Sequence, residues 1–256
     1  MSELEAVYTV WLREMIRYFR DKSRIISSLA MPIFWLLIFG SGIRTPIDGN
    51  IDYTSFIAPG VIVMAIMFTS TFSGISVIWD RELGFMKEML VAPVSRISIV
   101  TGKSLGGATS ALIQGLLIVS LVFSIKNLSG EYFSGVRIDV FTVSMMLPLM
   151  LLIGLGLVGI GVAIASLLGN VESFGVIVNF IIMPMFFLSG ALFPINNLPE
   201  WLRILTYVDP VTYAVELLRY VMTGFSSINF VLSFSVVFAF TCSMLMIGAY
   251  LFNRRS

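Results

Sequence analysis

The residues best suited to chemistry lie in one charged stretch between two long apolar runs. This stretch, residues 79–107, reads WDRELGFMKEMLVAPVSRISIVTGKSLGG. Its ionisable side chains can form ion pairs and charge-assisted hydrogen bonds with another protein, which is the chemistry of a docking surface. Glu82, Phe85 and Met89 fall at helical spacing and Pro93 stops a helix, so the pattern predicts a short amphipathic helix and then a turn. The alternative is a solvated connector whose charges only keep the loop in the cytosol.

Groups that catalyse reactions or bind metals are scarce. The chain has no histidine and one cysteine, Cys242, within an apolar run. These counts exclude the usual metal sites, an internal disulfide and a His-based general base or triad. Gly102, Lys103 and Ser104 match the end of a phosphate-binding loop, but Ile97 stands where that motif needs its first glycine. We therefore expect no catalytic residue, metal or cofactor in this chain.

The composition is that of an integral membrane protein. Hydrophobic residues make up 57% of the chain and charged residues 12%, against about 25% charged residues in a soluble domain. The net charge of +1 gives no basic surface for nucleic acid. Six apolar runs reach the roughly 20 residues that a membrane-spanning helix needs. We place these spans at residues 25–43, 58–79, 97–125, 141–168, 171–193 and 229–252.

The segments that flank the spans predict the orientation. Residues 1–24 alternate apolar residues with Arg13, Arg17 and Arg20 at helical spacing, which is typical of a helix lying in the membrane interface. Basic residues gather before the first span, around residues 80–103 and at the C-terminal end. The positive-inside rule then predicts that both termini are cytoplasmic.

Small residues within two spans predict close helix packing. They recur at four-residue spacing, which lets helix backbones approach each other in lipid. They are Gly107, Ala111 and Gly115 in the third span, and Gly159, Ala163, Gly161 and Ala165 in the fourth.

Residues 194–227, between the fifth and sixth spans, predict two short helices. Pro199 begins one, while Asp209 and Pro210 supply the N-cap and first residue of another. The second carries Glu216 and Arg219, and burying each charge at mid-membrane would cost about 2.5–3.5 kcal/mol. We therefore expect interfacial or re-entrant helices on the external side, not a seventh span.

Two motifs in this order resemble the membrane subunit of ABC-2 type exporters, in particular the daunorubicin-resistance-like drug-efflux permeases. They are DRELGFMKEMLVAPVSRISIVTGK and FFLSGALFPINNLPEWLRILTYVDPVTYAVELLRY. The resemblance implies an all-α, six-span membrane protein with one transmembrane domain over residues 1–256. That domain would include an interfacial helix at residues 1–24, a coupling loop at 80–96 and external helices at 194–227.

The resemblance also implies three groups of functional residues. In that family a coupling helix after the second span docks on the ATP-binding subunit, and here that role falls on residues 80–90. The expected contacts are Asp80, Arg81, Glu82, Phe85, Lys87 and Glu88. The substrate path lies between the second and fifth spans of two subunits, and here corresponds to Phe68, Thr69, Phe72, Asn179, Met183, Phe186 and Phe187. The external gate corresponds to Gly190, Ala191, Leu192 and Phe193, with Ala191 where a bulkier residue is expected.

The path residues also suit a simpler role. Met-rich and aromatic surfaces adapt to varied apolar ligands, yet the same side chains suit lipid contact or helix packing. For each residue taken alone, that structural role remains the alternative.

The function implied is that of a permease in the cytoplasmic membrane of a prokaryote that exports a lipophilic drug-like or lipid-like compound. Two copies of the permease would pair as a homodimer with two copies of an ATP-binding subunit, which would hold the ATP and Mg. One alternative is an exporter of polysaccharide or lipid-linked glycan. From another class, the alternatives are an ATP-independent secondary transporter and a membrane scaffold. The spans hold no Asp, Glu, Lys, Arg or His apart from Lys103 and Glu172 near cytoplasmic ends, which disfavours the secondary transporter.

Overall fold

A computed structural model describes residues 2–42, 52–85, 94–129 and 132–255. Within these ranges the regular structure is helical and contains no strand. The helices are α1 (Glu3–Arg20), α2 (Lys22–Gly42), α3 (Tyr53–Ser73), α4 (Ile75–Glu82), α5 (Arg96–Ser129), α6 (Val140–Leu167), α7 (Val171–Leu188), α8 (Glu200–Val208), α9 (Pro210–Thr223) and α10 (Phe230–Arg255), with a short 3-10 helix at Ile195–Asn197.

Five helical segments of the described chain are long and apolar enough to cross a membrane, which confirms a multi-pass membrane protein. They are Tyr53–Glu82, Arg96–Leu128, Val140–Leu167, Val171–Leu188 and Phe230–Arg254. The first expected span lies within α2, which covers its residues up to Gly42 and contains the apolar stretch Ile25–Ile38. Residue 43 of that expected span lies outside the described residues. The fifth expected span ends earlier than predicted, at Leu188.

Helix α3 lies at the centre of the bundle and packs against α2, α5, α6 and α9. Close contacts between helices rely on small residues. A Cβ atom on Gly161 of α6 would lie 2.2 Å from the carbonyl oxygen of Thr71, and one on Gly159 would lie 2.7 Å from the carbonyl carbon of Met244 on α10. In α5, a Cβ atom on Gly107 would lie 2.3 Å from Ser73 Oγ. The predicted packing role of these glycines is thus confirmed.

Helix α1 begins with a capping box, in which Ser2 and Glu5 each accept a hydrogen bond from the other's backbone N–H. One face of α1 is packed on α5, where Gly102 and Gly106 leave room for Val10 and Glu14. A second apolar face remains exposed in the chain, comprising Leu4, Tyr8, Leu12, Ile16 and Phe19. The predicted amphipathic helix is present, but only one part of its apolar surface packs on the bundle and the other part is exposed.

The two short helices predicted after the fifth span are present as α8 and α9. The Asp209 carboxylate caps α9 by accepting a hydrogen bond from the Val211 N–H, 3.0 Å away, and Gly224 ends the helix with a φ of 75°. Helix α9 packs against α3, α6 and α10. Within the described residues α9 is not among the candidate spans, but its Glu216 and Arg219 are both buried inside the protein. They tolerate burial because they pair with each other.

Candidate functional site

The predicted coupling segment begins as the last turn of α4. Helix α4 ends at Glu82, and Leu83 and Gly84 then form a turn in which Gly84 has a φ of 81°. Because only glycine adopts this left-handed conformation readily, the helix cannot continue through it. Glu82 and Phe85 therefore lie on opposite sides of a turn, contrary to the single helix predicted. Lys87 and Glu88 lie in residues 86–93, outside the described residues.

Asp80 lies at the centre of a buried ion cluster, with 0% of its surface exposed. Its carboxylate accepts hydrogen bonds from Lys103 of α5 and Arg13 of α1, and Arg17 Nη1 lies 3.8 Å away. The Lys103 ammonium also lies 3.4 Å from Glu14 Oε1. The cluster therefore joins α1, α4 and α5. In this structure the Asp80 side chain acts within the chain and does not face a partner.

The arginines of this cluster also contact aromatic rings next to the turn. The Arg17 guanidinium lies 4.4 Å from the ring centre of Trp79, and that of Arg13 lies 5.3 Å from the ring centre of Phe85. Both distances are in the range of cation–π attraction. Helix α1 thus holds both sides of the turn that follows α4.

The surface left for a partner is small and mixed in character. Glu82 is exposed, and Leu83 and Phe85 expose 65% and 45% of their surface. Arg81 turns partly inward, where its Nη1 donates to the carbonyl of Leu168 between α6 and α7 at 3.3 Å. Leu83 was missed by the sequence analysis, although its position next to a turn glycine could have indicated its exposure.

A cavity of about 550 Å³ lies among α1, α2, α3, α4 and α7. It brings together five of the seven predicted path residues, Phe68, Thr69, Phe72, Asn179 and Met183. The rest of its lining is Tyr18, Asp21, Ser23, Ser27, Ser28, Met31, Ile75 and Trp79. The second and fifth expected spans do face each other across this space.

The cavity has an apolar wall and a polar wall. On the apolar side, Phe68 and Phe72 stack with their ring centres 6.3 Å apart. On the polar side, α2 and the end of α1 supply serine hydroxyls and the Asp21 carboxylate. Thr69 is buried, and its hydroxyl has no hydrogen-bond partner within the described part of the chain. This hydroxyl is shielded from the cavity, so the polar side chains open to a ligand are those of Ser23, Ser27 and Asn179.

Phe186 and Phe187 do not line the cavity. Both rings contact Trp35 of α2 edge to face, with centres 6.2 and 5.7 Å from it. Sequence analysis placed them on the path because the resemblance implies that the fifth span lines it, but they lie outside this cavity. It missed the serines of α2, although Ser23 and Ser27 stand four residues apart at the start of an apolar run.

Residues 190–193, which we call the exit segment, follow α7 and are anchored at three points. The carbonyl of Gly190, which has a φ of 68°, accepts a hydrogen bond from Arg219 Nη2 at 2.8 Å. The carbonyl of Leu192 accepts one from the Tyr53 hydroxyl at 3.0 Å. Ala191 is fully buried against Gly60, where an added Cβ would lie 2.6 Å from that of Ala191. This contact explains the small residue at position 191.

The remaining residue of the exit segment faces outward. Phe193 exposes 50% of its surface, whereas Ala191 and Leu192 are buried. The segment predicted as a gate is thus held in place by hydrogen bonds to its backbone carbonyls and by small-residue packing. One aromatic side chain, that of Phe193, lies on the outside.

Comparison with known proteins decides the family. A family profile described as ABC-2 type transporter matches residues 5–223. The chain belongs to the ABC-2 type transporter family. It is 30% identical over 246 residues to the transport permease ycf38 of Cyanophora paradoxa, covering 90% of this chain and 80% of that protein. It is 26% identical over 254 residues to nodulation protein J of Rhizobium leguminosarum bv. viciae, covering 96% and 93% respectively.

A third relative of this ABC-2 chain carries a more specific name. It is YbhR of Escherichia coli strain K12, named as a multidrug ABC transporter permease, and is 26% identical over 190 residues. The match covers 74% of this chain and 49% of YbhR. Together these findings make the chain a membrane-spanning transport permease, the non-enzymatic membrane subunit of an ABC transporter. Family membership implies association with an ABC ATP-binding subunit.

Proposed function

We propose that this permease exports a lipophilic amphiphile, drug-like or lipid-like, out across the cytoplasmic membrane of a prokaryote. Two copies of the chain would pair, and two ATP-binding subunits would hydrolyse ATP. The observation that carries the proposal is the cavity, which places stacked phenylalanine rings opposite serine hydroxyls and a carboxylate. A ligand with an apolar body and a hydrogen-bonding head satisfies both walls.

The lining favours an amphiphile over a polysaccharide or lipid-linked glycan. Sugars bind on aromatic platforms accompanied by many hydrogen-bonding groups, and the larger side chains here are mainly phenylalanine, methionine and isoleucine. Trp79 is the one tryptophan in the cavity lining. Methionine and phenylalanine instead adapt to varied apolar shapes.

Six spans complete the proposed topology. Helix α2 would cross the membrane as a first span ahead of the five long apolar segments. An even number of spans would put both termini on one side of the membrane. The basic residues of α1, α4 and α5 support a cytoplasmic position for that side.

ATP-driven movement would enter through the turn after α4. Glu82, Leu83 and Phe85 form its exposed surface in the described chain, and we propose that Lys87 and Glu88 extend this surface. The role of Asp80 is then to position the docking surface. Its ion pairs with Arg13 and Lys103 transmit a movement of the turn to α1 and α5. Conformational coupling of this kind requires that nucleotide or cargo bind the two states unequally.

The proposal is tested in vesicles that contain the permease and its ATP-binding subunit. We expect ATP-dependent movement of a fluorescent lipophilic amine, with little movement of the same ring system lacking the polar head. Ser27→Val should lower the apparent affinity for the amine because it removes an exposed hydroxyl from the cavity wall. Thr101→Val, at an exposed site on α5, is the matched control. Transport that follows an imposed proton gradient at constant ATP would instead identify a secondary transporter.

A further inference from the structure

We propose that Arg219 and Glu216 of α9 are positioning residues that hold the exit segment closed toward the outside. The proposal rests on the proposed export function and on the gate role that the sequence predicts for residues 190–193, and it names the pair that controls them. Both side chains are fully buried. Because a buried ion pair contributes little net stability, its location next to the exit segment needs another explanation.

Arg219 makes three contacts from one guanidinium. Nη1 pairs with Glu216, Nη2 donates to the carbonyl of Gly190 at 2.8 Å, and the guanidinium carbon lies 3.9 Å from the ring centre of Phe56 on α3. The planar group therefore connects α9, α3 and the exit segment. A lysine could pair with Glu216, but it lacks the fork of donors that reaches Gly190 at the same time.

Glu216 is held independently of the exit segment. Its Oε2 accepts hydrogen bonds from the Ser226 hydroxyl at 2.9 Å and from the Ser227 N–H at 2.5 Å. Both residues lie in the connection between α9 and α10. The carboxylate is thus fixed on the α9 side, and it orients Arg219 toward Gly190.

In this arrangement the ion pair of Glu216 and Arg219 stays fixed on α9, and the exit segment is the part that can move. If the exit segment moves away from α9, the hydrogen bond from Arg219 to Gly190 breaks while the ion pair with Glu216 stays intact. No charge is left unpaired in the open state. Opening then costs the hydrogen bond to Gly190 and the one from Tyr53 to Leu192, together with the packing of Ala191 on Gly60.

The experiment measures access to position 192 from outside intact cells. Leu192→Cys is made in a Cys242→Ala background, and a membrane-impermeant maleimide is added. Leu192 is buried, so the parent should label slowly. Arg219→Met should raise the labelling rate about tenfold or more, as expected from losing one charge-assisted hydrogen bond. Arg219→Lys should also label faster than the parent, since it restores the charge but not the contact with Gly190.

Two controls separate positioning from general loss of structure. Arg203→Met changes another arginine of the same region, which donates to the carbonyls of Asn196 and Leu198, outside the exit segment. It should leave labelling at position 192 unchanged. Ile62→Cys reports on the buried centre of α3 and should stay unlabelled when combined with Arg219→Met.

Equal labelling of the parent and Arg219→Met at position 192 would overturn the proposal. If Arg219→Met also exposes position 62, the double variant Glu216→Gln/Arg219→Met decides, because it leaves no unpaired buried charge. In this double variant the cysteine at position 192 must be labelled and the one at position 62 must not. Absence of labelling at position 192 would overturn the proposal. Labelling needs no ATP-binding subunit. A wild-type complex that fails to export would therefore count against the proposed function without affecting this result.

Discussion

The ammonium group of Lys103 on α5 donates a hydrogen bond to the carboxylate of Asp80 on α4, and both side chains are buried. Lys103 also bonds the Ser76 hydroxyl at 3.2 Å. A glycine, lysine and serine sequence that resembles a phosphate-binding loop therefore has a different role, since its lysine is occupied inside the protein. The bond ties the end of one membrane helix to the start of the next beside the proposed docking surface.

Removing the Asp80 carboxylate should destabilise the fold. Asp80→Ala leaves Lys103 and Arg13 without their shared partner, and breaking a buried ion pair typically costs about 3–5 kcal/mol. Thermal unfolding in detergent measures the loss. Glu82→Gln is the matched control, because that carboxylate is exposed two residues away and should change stability by less than about 0.5 kcal/mol. Equal stability of the two variants would contradict the central role of Asp80.

The exposed surface after α4 should affect coupling and not folding. Phe85→Ala and Glu82→Ala should keep the wild-type unfolding temperature, because these side chains are exposed in the described chain. Both should lower ATP-driven transport and weaken co-purification with the ATP-binding subunit. Ile97→Ala, at an exposed apolar side chain of α5, is the control. Wild-type transport by both variants would remove the docking role from this surface.

Asp209 should make stability depend on pH. Burial raises the pKa of its carboxyl from 3.8 to about 7, and the hydrogen bond from the Val211 N–H offsets this only in part. Since the folded pKa is the higher one, the stability linked to this proton is fully present below about 3.8 and is lost as the pH rises through about 7. Asp209→Asn keeps an N-cap and should raise the unfolding temperature at pH 8 but not at pH 4.

The control for this prediction is the N-cap of α6. Hydrogen bonds from the Thr142 hydroxyl lower the pKa of Asp139, with smaller contributions from backbone N–H groups and Arg137. The pKa shift of Asp139 is therefore opposite in sign to that of Asp209, and Asp139→Asn should give no gain in unfolding temperature at pH 8. A gain of the same size in both variants would mean that the effect at Asp209 does not come from its burial.

The small residue at position 191 should be required. Ala191→Leu would place a larger side chain against Gly60, where even a single added Cβ would come within 2.6 Å. Overpacking of this kind costs about 1–3 kcal/mol, and we expect a lower unfolding temperature and loss of transport. Phe193→Leu, at the exposed end of the exit segment, should leave stability unchanged. An Ala191→Leu variant as stable as wild type would show that the segment is loosely packed.

The elements whose limits are set locally could be predicted from the sequence. Hydrophobic length located the long helices, and capping chemistry located α9, because Asp209 and Pro210 start a helix and Gly224 ends one without help from distant residues. Part of the cavity lining was also named in advance, because the resemblance implies that the second and fifth spans line the path. Phe68, Thr69, Asn179 and Met183 do line this cavity.

The long-range pairings could not be predicted. Asp80 looked like a surface residue because its partners Lys103 and Arg13 lie 23 and 67 residues away, and periodicity carries no information about pairing at that distance. Arg219 and Glu216 served in the sequence analysis only to argue against a seventh span. Their spacing of three residues allows an ion pair on one helix face, but the groups that complete it come from α3, the exit segment and the α9–α10 connection.

The most direct test of the central claim is ATP-driven export by vesicles whose permease has a filled cavity. Ser27→Trp adds a large side chain at an exposed position of the cavity wall, while Thr101→Trp adds the same side chain at an exposed site outside the cavity. We predict that Ser27→Trp abolishes movement of the lipophilic amine while the complex still assembles and hydrolyses ATP, and that Thr101→Trp exports normally. Wild-type export by Ser27→Trp would contradict the assignment of this cavity to the cargo.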